Sequence, residues 1–187
     1  MLSVVIATQD SERALLPTLA ALVAGAVAGL VREVIIADAS SRDATVTIAN
    51  EAGCRVLDST LPRGTRLKTA ADTARASWLL FLQPGAVLDA NWVEETRRFI
   101  EEVELRKYCL NAGVFRPGSF GSAAHEILAL LRAALGAWPD PSQGLVIAKS
   151  LYDAMGGHRD VPAPERDLFR RVGRKRLVWL RTGAICH

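Results

Sequence analysis

Short runs of β-branched and aliphatic residues alternate along this chain with longer segments rich in Ala and Leu, and polar residues, Gly or Pro mark each change of pattern. Such alternation predicts an α/β fold of βαβ units, a Rossmann-type, mostly parallel sheet flanked by helices. Residues 2–7 are almost continuously apolar, which predicts a strand buried on both faces. The polar run Thr8-Gln9-Asp10-Ser11 ends it, and residues 12–30 predict a helix whose first turns Pro17 limits or kinks. Further strands are predicted over 33–37, 54–57 and 78–82, with helices over 44–52 and 65–76 between them. The polar stretch 38–43 reads as a loop. Its last residue, Asp43, stands where a carboxylate caps a helix start, and Gly53 stands where a helix ends.

Beyond the turn at Pro84-Gly85, a charged amphipathic helix is predicted over 91–106, a strand over 113–116 and a further helix over 123–137. Residues 138–144, with two prolines and a glycine, break that helix. A strand over 145–148, a short helix over 151–155 stopped by Gly156-Gly157, and a helix over 166–172 complete the pattern. The last thirty residues are basic and mixed. No linker, repeat or low-complexity tract divides the chain, so a single domain is expected.

Residues 14–31 are apolar apart from Thr18, and at 18 residues they reach the lower edge of a membrane span. Pro17, Gly25, Gly29, the Ala content and the flanking strands favour a helix packed on a sheet, with at most peripheral membrane contact. The chain of 187 residues is half hydrophobic and carries 23 Lys and Arg against 20 Asp and Glu, for a net charge of +3. That balance, with no basic tract, argues against nucleic acid as a partner. Local surpluses of Arg and Lys lie at 63–75 and 166–181, suited to a phosphorylated ligand or a solvated face. Cys54, Cys109 and Cys186 show neither disulfide nor zinc spacing, and the first residues read as a strand rather than a leader; a cytoplasmic protein is expected.

Ligands of open parallel sheets bind at the carboxyl ends of the strands. Those ends supply Thr8 and Asp10, Asp38 and Ser41, and Gln83, with Arg63, Arg66 and Lys68 near enough in sequence to meet phosphates. Together they describe a nucleotide site. Asp38 suits an N–H of a base or a ribose hydroxyl, and equally a turn residue bonding its own backbone. His125 and His158 have no companion at ligand spacing and read as surface or packing residues.

The order of these blocks carries more. Residues 3–12 (SVVIATQDSE) and 34–45 (VIIADASSRDAT) resemble two motifs of family 2 glycosyltransferases, and Pro62-Arg63-Gly64 with the strand Trp78-Leu79-Leu80-Phe81-Leu82 resembles the segment leading to that family's metal motif. Ser142-Gln143-Gly144 with its strand is similar to the acceptor-side segment, and Pro164-Glu165-Arg166-Asp167-Leu168 to the acidic motif carrying the base. The resemblance implies a GT-A fold, with a nucleotide-binding half at 1–106 and an acceptor-side half at 107–187. It further implies a UDP, GDP or dTDP sugar as donor, an unknown acceptor, and displacement with inversion.

The departures fall on functional positions. The family expects a divalent metal, Mn or Mg, held by acids where this chain has Gln83 and Gly85, so the metal ligands are absent and weak or no metal binding is expected. Arg63, Arg66 and Lys68 are then the candidates to stabilise a leaving diphosphate. Glu165 is the first candidate base and Asp167 the second; another registration puts Arg166 at the base position. Two readings follow: a metal-independent glycosyltransferase, or a non-catalytic nucleotide-binding or scaffold protein on the same fold.

Overall fold

The computed structural model describes residues 1–106, 111–117 and 138–186. β1 (Leu2–Thr8) is buried along its whole length, as an unalternating apolar run requires. It is followed by α1 (Glu12–Val27), β2 (Val31–Asp38), α2 (Thr45–Glu51), β3 (Arg55–Asp58), α3 (Arg63–Asp72) and β4 (Trp78–Leu82). β1 pairs in parallel with β2 on one side and β4 on the other, and β3 extends the sheet beyond β2. These are the expected βαβ units, with α3 lying against β1 and β2.

Several boundaries move for identifiable reasons. α1 stops at Val27 instead of residue 30, because Gly29 takes φ 67° and the Leu30 N–H returns to the Gly25 carbonyl. The helix runs through Pro17, which costs the Arg13 carbonyl its usual partner but does not end it. Asp38 is the last residue of β2, paired with Thr8 and Asp58, and not the first of a loop. α3 begins two residues early, behind Pro62, and ends at Asp72, where the Thr73 hydroxyl donates to the Ala70 carbonyl at 3.0 Å.

The two helix starts beside β1 and β2 are clasped together. Asp43 accepts from the Glu12 N–H at 3.0 Å, and Glu12 accepts from the Ala44 N–H at 3.0 Å, so each helix start is capped by an acid from the other. Asp43 also accepts from the Thr45 N–H at 3.0 Å, which is the capping role expected of it.

The second half adds β5 (Ala86–Leu88), α4 (Trp92–Leu105), β6 (Ala112–Pro117), a 3₁₀ turn at Pro141–Gln143, β7 (Leu145–Ala148), α5 (Lys149–Ala154), α6 (Pro164–Val172) and β8 (Leu177–Cys186). β5 and β8 have no counterpart in the pattern reading, β5 because three residues are too few to show a period and β8 because its mostly apolar residues, broken by Arg181-Thr182-Gly183, show no strict alternation. The helix expected over 123–137 lies outside the described residues. Among those described, no helix is long and apolar enough to cross a membrane.

The strand order is β3-β2-β1-β4-β7-β6-β8-β5, parallel through β4, with β7 antiparallel to both β4 and β6. Only residues 83–85 separate β4 from β5, yet β7, β6 and β8 stand between them in the hydrogen-bonding order. A flat sheet would need roughly 19 Å at about 4.8 Å per strand, and the connection reaches only about 14 Å, so the sheet curls back on itself. Trp92 closes the curl on α1, its indole N–H donating to the Ala21 carbonyl at 3.2 Å. The curl brings the β4–β5 turn, α3 and α6 to one crevice.

Candidate active site

At the carboxyl ends of β1 and β2, four of the expected residues form one network. The Thr8 hydroxyl donates to Asp38 Oδ1 at 2.6 Å, the Ser41 hydroxyl to the same oxygen at 2.6 Å, and the Ser41 N–H to Oδ2 at 2.7 Å. Asp10 joins through its N–H, which donates to Ser41 Oγ at 2.9 Å, and its carboxylate accepts from the Arg42 N–H at 2.8 Å. Asp38 and Thr8 are 0% and 1% exposed. Asp10 and Ser40 hold positive φ angles of 44° and 54°, a conformation that short polar side chains tolerate best.

Arg66 lies beneath this network instead of facing solvent. Its guanidinium donates to the carbonyls of Leu61 at 3.1 Å, Thr8 at 3.1 Å and Ala37 at 2.5 Å, and it is 6% exposed. Burial lowers its pKa, Arg63 lowers it further, and Asp38 opposes both. Expected among the residues that meet phosphate, it is instead a buried brace that ties α3 to both strand ends and offsets the charge of Asp38. Lys68, from the same expectation, is exposed on α3 and makes no hydrogen bond or ion pair with the described residues.

Arg63 is the basic residue that reaches the crevice. Its Nε donates to Glu165 Oε1 at 2.7 Å, across 102 positions of sequence. Glu165 stands in the first turn of α6, which Pro164 opens. With Gln83, Leu67, Phe81, His158 and Phe169 it lines a cavity of about 10 Å³, room for about one water. Asp167, the second candidate base, turns away to Arg171 at 2.8 Å. Arg171 in turn donates to the carbonyls of Met155 and Gly157, so Asp167 serves the fold of the Gly-Gly turn.

His158 is a packing residue, one of the two roles expected of it, and its place beside Glu165 is what the sequence does not indicate. It is 3% exposed, lines the cavity beside Glu165, and packs edge-on to Phe81 with centroids 4.7 Å apart. The Tyr152 hydroxyl accepts from the His158 backbone N–H at 3.0 Å and shares a second hydrogen bond with Nδ1 at 2.9 Å, so both the ring and the main chain of His158 are tied to it. Burial, then Arg171 and Arg63, push the His158 pKa down to about 3, against a smaller pull from Asp167; burial also pushes the Tyr152 hydroxyl up. The signal available in the sequence was its position directly after Gly156-Gly157, at a turn that points inward.

The end of β4 offers a cation little. Gln83 can present one amide oxygen, while the Gly85 N–H is bound to the Ala14 carbonyl at 2.8 Å and the Thr18 hydroxyl at 2.9 Å. The next acid, Asp89, accepts from the Gly183 N–H at 2.7 Å and holds β5 to β8. Among the described residues no three His, Cys, Asp or Glu side chains are grouped to hold a metal. A hard divalent cation wants several oxygen ligands, and this donor set does not fit one.

A sheet of this order, with polar groups gathered at its parallel strand ends and an acid on a helix from the antiparallel half, defines a GT-A type glycosyltransferase fold. The chain belongs to glycosyl transferase family 2, whose profile matches residues 3–138. Similar solved structures include the glucosyl-3-phosphoglycerate synthase of Mycobacterium tuberculosis in complex with Mn2+, UDP and glucosyl-3-phosphoglycerate, at TM-score 0.67 and 20% identity over 96% of this chain and 68% of that one. A mycobacterial protein matches at TM-score 0.69 and 21% identity, over 96% of this chain and 64% of that one. S. aureus TarS, residues 1–349, matches at TM-score 0.72 and 12% identity, over 99% and 60% respectively. Among curated proteins none matches.

Proposed function

We propose that the chain transfers a sugar from a nucleoside-diphosphate donor to an acceptor hydroxyl, with inversion and without a metal ion. Residues 1–106 take the donor and 107–187 the acceptor. The observation that carries this reading is the Arg63–Glu165 pair, a cation from the donor half and a carboxylate from the acceptor half joined at 2.7 Å. The M. tuberculosis enzyme, described with UDP and a phosphoglycerate product, supports a uridine nucleotide as the first donor to try. The half-buried free thiol of Cys54 suits a reducing compartment, the cytoplasm.

In the proposed step Glu165 accepts the proton of the acceptor hydroxyl as that oxygen bonds to the anomeric carbon. The bond from that carbon to the diphosphate oxygen breaks on the opposite face, and its electron pair leaves with the diphosphate. Protonation removes the charge that Glu165 offers Arg63. The guanidinium is thereby released toward the diphosphate at the moment negative charge develops there, which supplies in part what a cation supplies in metal-dependent relatives. Thr8, Asp10, Asp38 and Ser41 shape the rim that receives the nucleoside.

A second reading is favoured by Gln83 and Gly85: a non-catalytic protein that keeps the nucleotide site or serves as a scaffold. Thermal-shift titration with UDP, GDP, dTDP and their sugars, in Mn2+ or in EDTA, separates the readings because a ligand of the folded state raises apparent stability. Stabilisation insensitive to EDTA is the expected result, followed by donor turnover that Glu165→Gln reduces by about a hundredfold or more. Binding without turnover in the wild type favours the second reading. No shift with any nucleotide sinks the first.

A further inference from the structure

A second cavity, of about 190 Å³, shares Phe169 as a wall with the cavity that Glu165 lines. Its walls are the segment Trp138-Pro139-Asp140 and the outer face of α6, which contributes Arg166 and Arg170. It is much roomier than the cavity beside Glu165, with space for a small organic acid.

The charge around it is arranged unequally. Arg166 donates to Asp140 Oδ2 at 3.3 Å, which neutralises that acid, and Asp140 is further held by the Ser142 N–H at 3.0 Å. Arg166 and Asp140 thus cancel. Arg174 lies over the Trp138 ring at 4.9 Å, fixing the indole as one wall while keeping its charge at the rim. Arg170, one turn beyond Arg166, is exposed, lines the cavity and makes no ion pair with the described residues. Among the described residues two guanidinium charges therefore have no carboxylate partner around a concave site, one inside and one at its edge.

From this we infer that the cavity is the anion-binding part of the acceptor site, and that the acceptor carries a carboxylate or phosphate group a few atoms from the hydroxyl that Glu165 deprotonates. An unpaired Arg inside a concave wall pairs with such groups through two parallel hydrogen bonds, and an aromatic wall covers the apolar face of a short carbon chain. Glu165 and Arg166 are consecutive residues, so the proton acceptor and the cationic cavity lie within one turn of the same helix. Calling the anion an acceptor rests on the proposed transfer reaction; its binding to Arg170 does not.

Calorimetric titration with glycerol 3-phosphate, glycerate and neutral glycerol, each with and without UDP, tests the inference. Glycerol 3-phosphate is expected to bind and glycerol to fail; binding of glycerate as well shows that a carboxylate suffices. Arg170→Gln is expected to weaken the anions by about tenfold or more while leaving the UDP response intact. Arg32→Gln, which alters an exposed cation at the amino end of β2, is expected to change neither. Anion affinity unaltered in Arg170→Gln, or no anion binding by a wild type that binds UDP, overturns the inference. Anion binding that depends on Arg170 in a protein that ignores UDP upholds the cavity's role and removes the donor reading alone.

Discussion

The ends of β2 and β4 lie on the same rim of the same sheet, separated only by β1, and they are built on opposite principles. At β2 a buried carboxylate gathers three donors from Thr8 and Ser41 and sits above a buried guanidinium. At β4 the side chains are a neutral amide and a glycine, and the backbone N–H is taken by α1. One end is finished by side chains, the other by main chain. Side-chain networks tie geometry to particular charges, whereas a main-chain turn keeps its shape after its acids are gone. The side chains at the β4 end can therefore change without disturbing the network at β2.

The contrast is broken most severely at Asp38. Asp38→Ala strips Thr8 and Ser41 of their acceptor and leaves Arg66 buried without its counter-charge, a loss expected at about 3–5 kcal/mol in urea denaturation. An unchanged midpoint would mean that the network is ornamental. Gly64→Ala comes next. A Cβ there would stand 2.0 Å from the Arg159 carbonyl oxygen, a backbone atom that cannot swing aside, so about 3 kcal/mol is expected, with the α3 start displaced from the loop that carries His158.

Placing acids at the β4 end sharpens the contrast from the other side. Gly85 has φ 90°, so Gly85→Asp is expected to cost about 1–2 kcal/mol in strain, while Gln83→Asp carries no such penalty. The double variant is expected to gain Mn2+-dependent thermal stabilisation in the presence of UDP that the wild type lacks. A double variant indifferent to Mn2+ would show that two carboxylates at these positions do not make a cation site.

The smallest effect is a slope. His158 binds its ring proton at about 3 in the folded chain against an ordinary value of 6.5, so between those values the unfolded chain holds a proton that the folded chain refuses. Stability therefore falls as pH falls through that window, by about 1 kcal/mol between pH 6 and 5. Replacing His158 with Phe is expected to flatten that part of the profile. In that variant the Tyr152 hydroxyl keeps the bond it accepts from the residue 158 N–H, so the turn retains its anchor.

Much of this was legible beforehand where the physics is local. Val4, Val5 and Ile6, buried on both faces, announce a parallel strand, and Gly85 and Gly156 announce turns. Glu165 was reachable through the resemblance of its motif, and Arg63 through its place behind Pro62. What stayed hidden depends on the curl of the sheet. Nothing near Arg63 in sequence indicates that its partner is 102 residues away, and nothing near Arg66 distinguishes a phosphate ligand from a brace. His158 looked solitary because its partners, Tyr152 and Phe81, are not the residue types that metal or catalytic spacing searches for. Asp38 could not be separated from a turn residue until its register with Thr8 placed it at a strand end.

The exchange of caps between Glu12 and Asp43 bears on how the loops at the ends of β1 and β2 move. Because each acid caps the other helix, the loop between β2 and α2 cannot swing outward without fraying α1 as well, and opening becomes a concerted event with the combined penalty of both helix starts. Removing either acid should loosen both helices, and removing the second should then cost little more. The two loops are thereby coupled, and any ligand that needs one of them displaced must displace both.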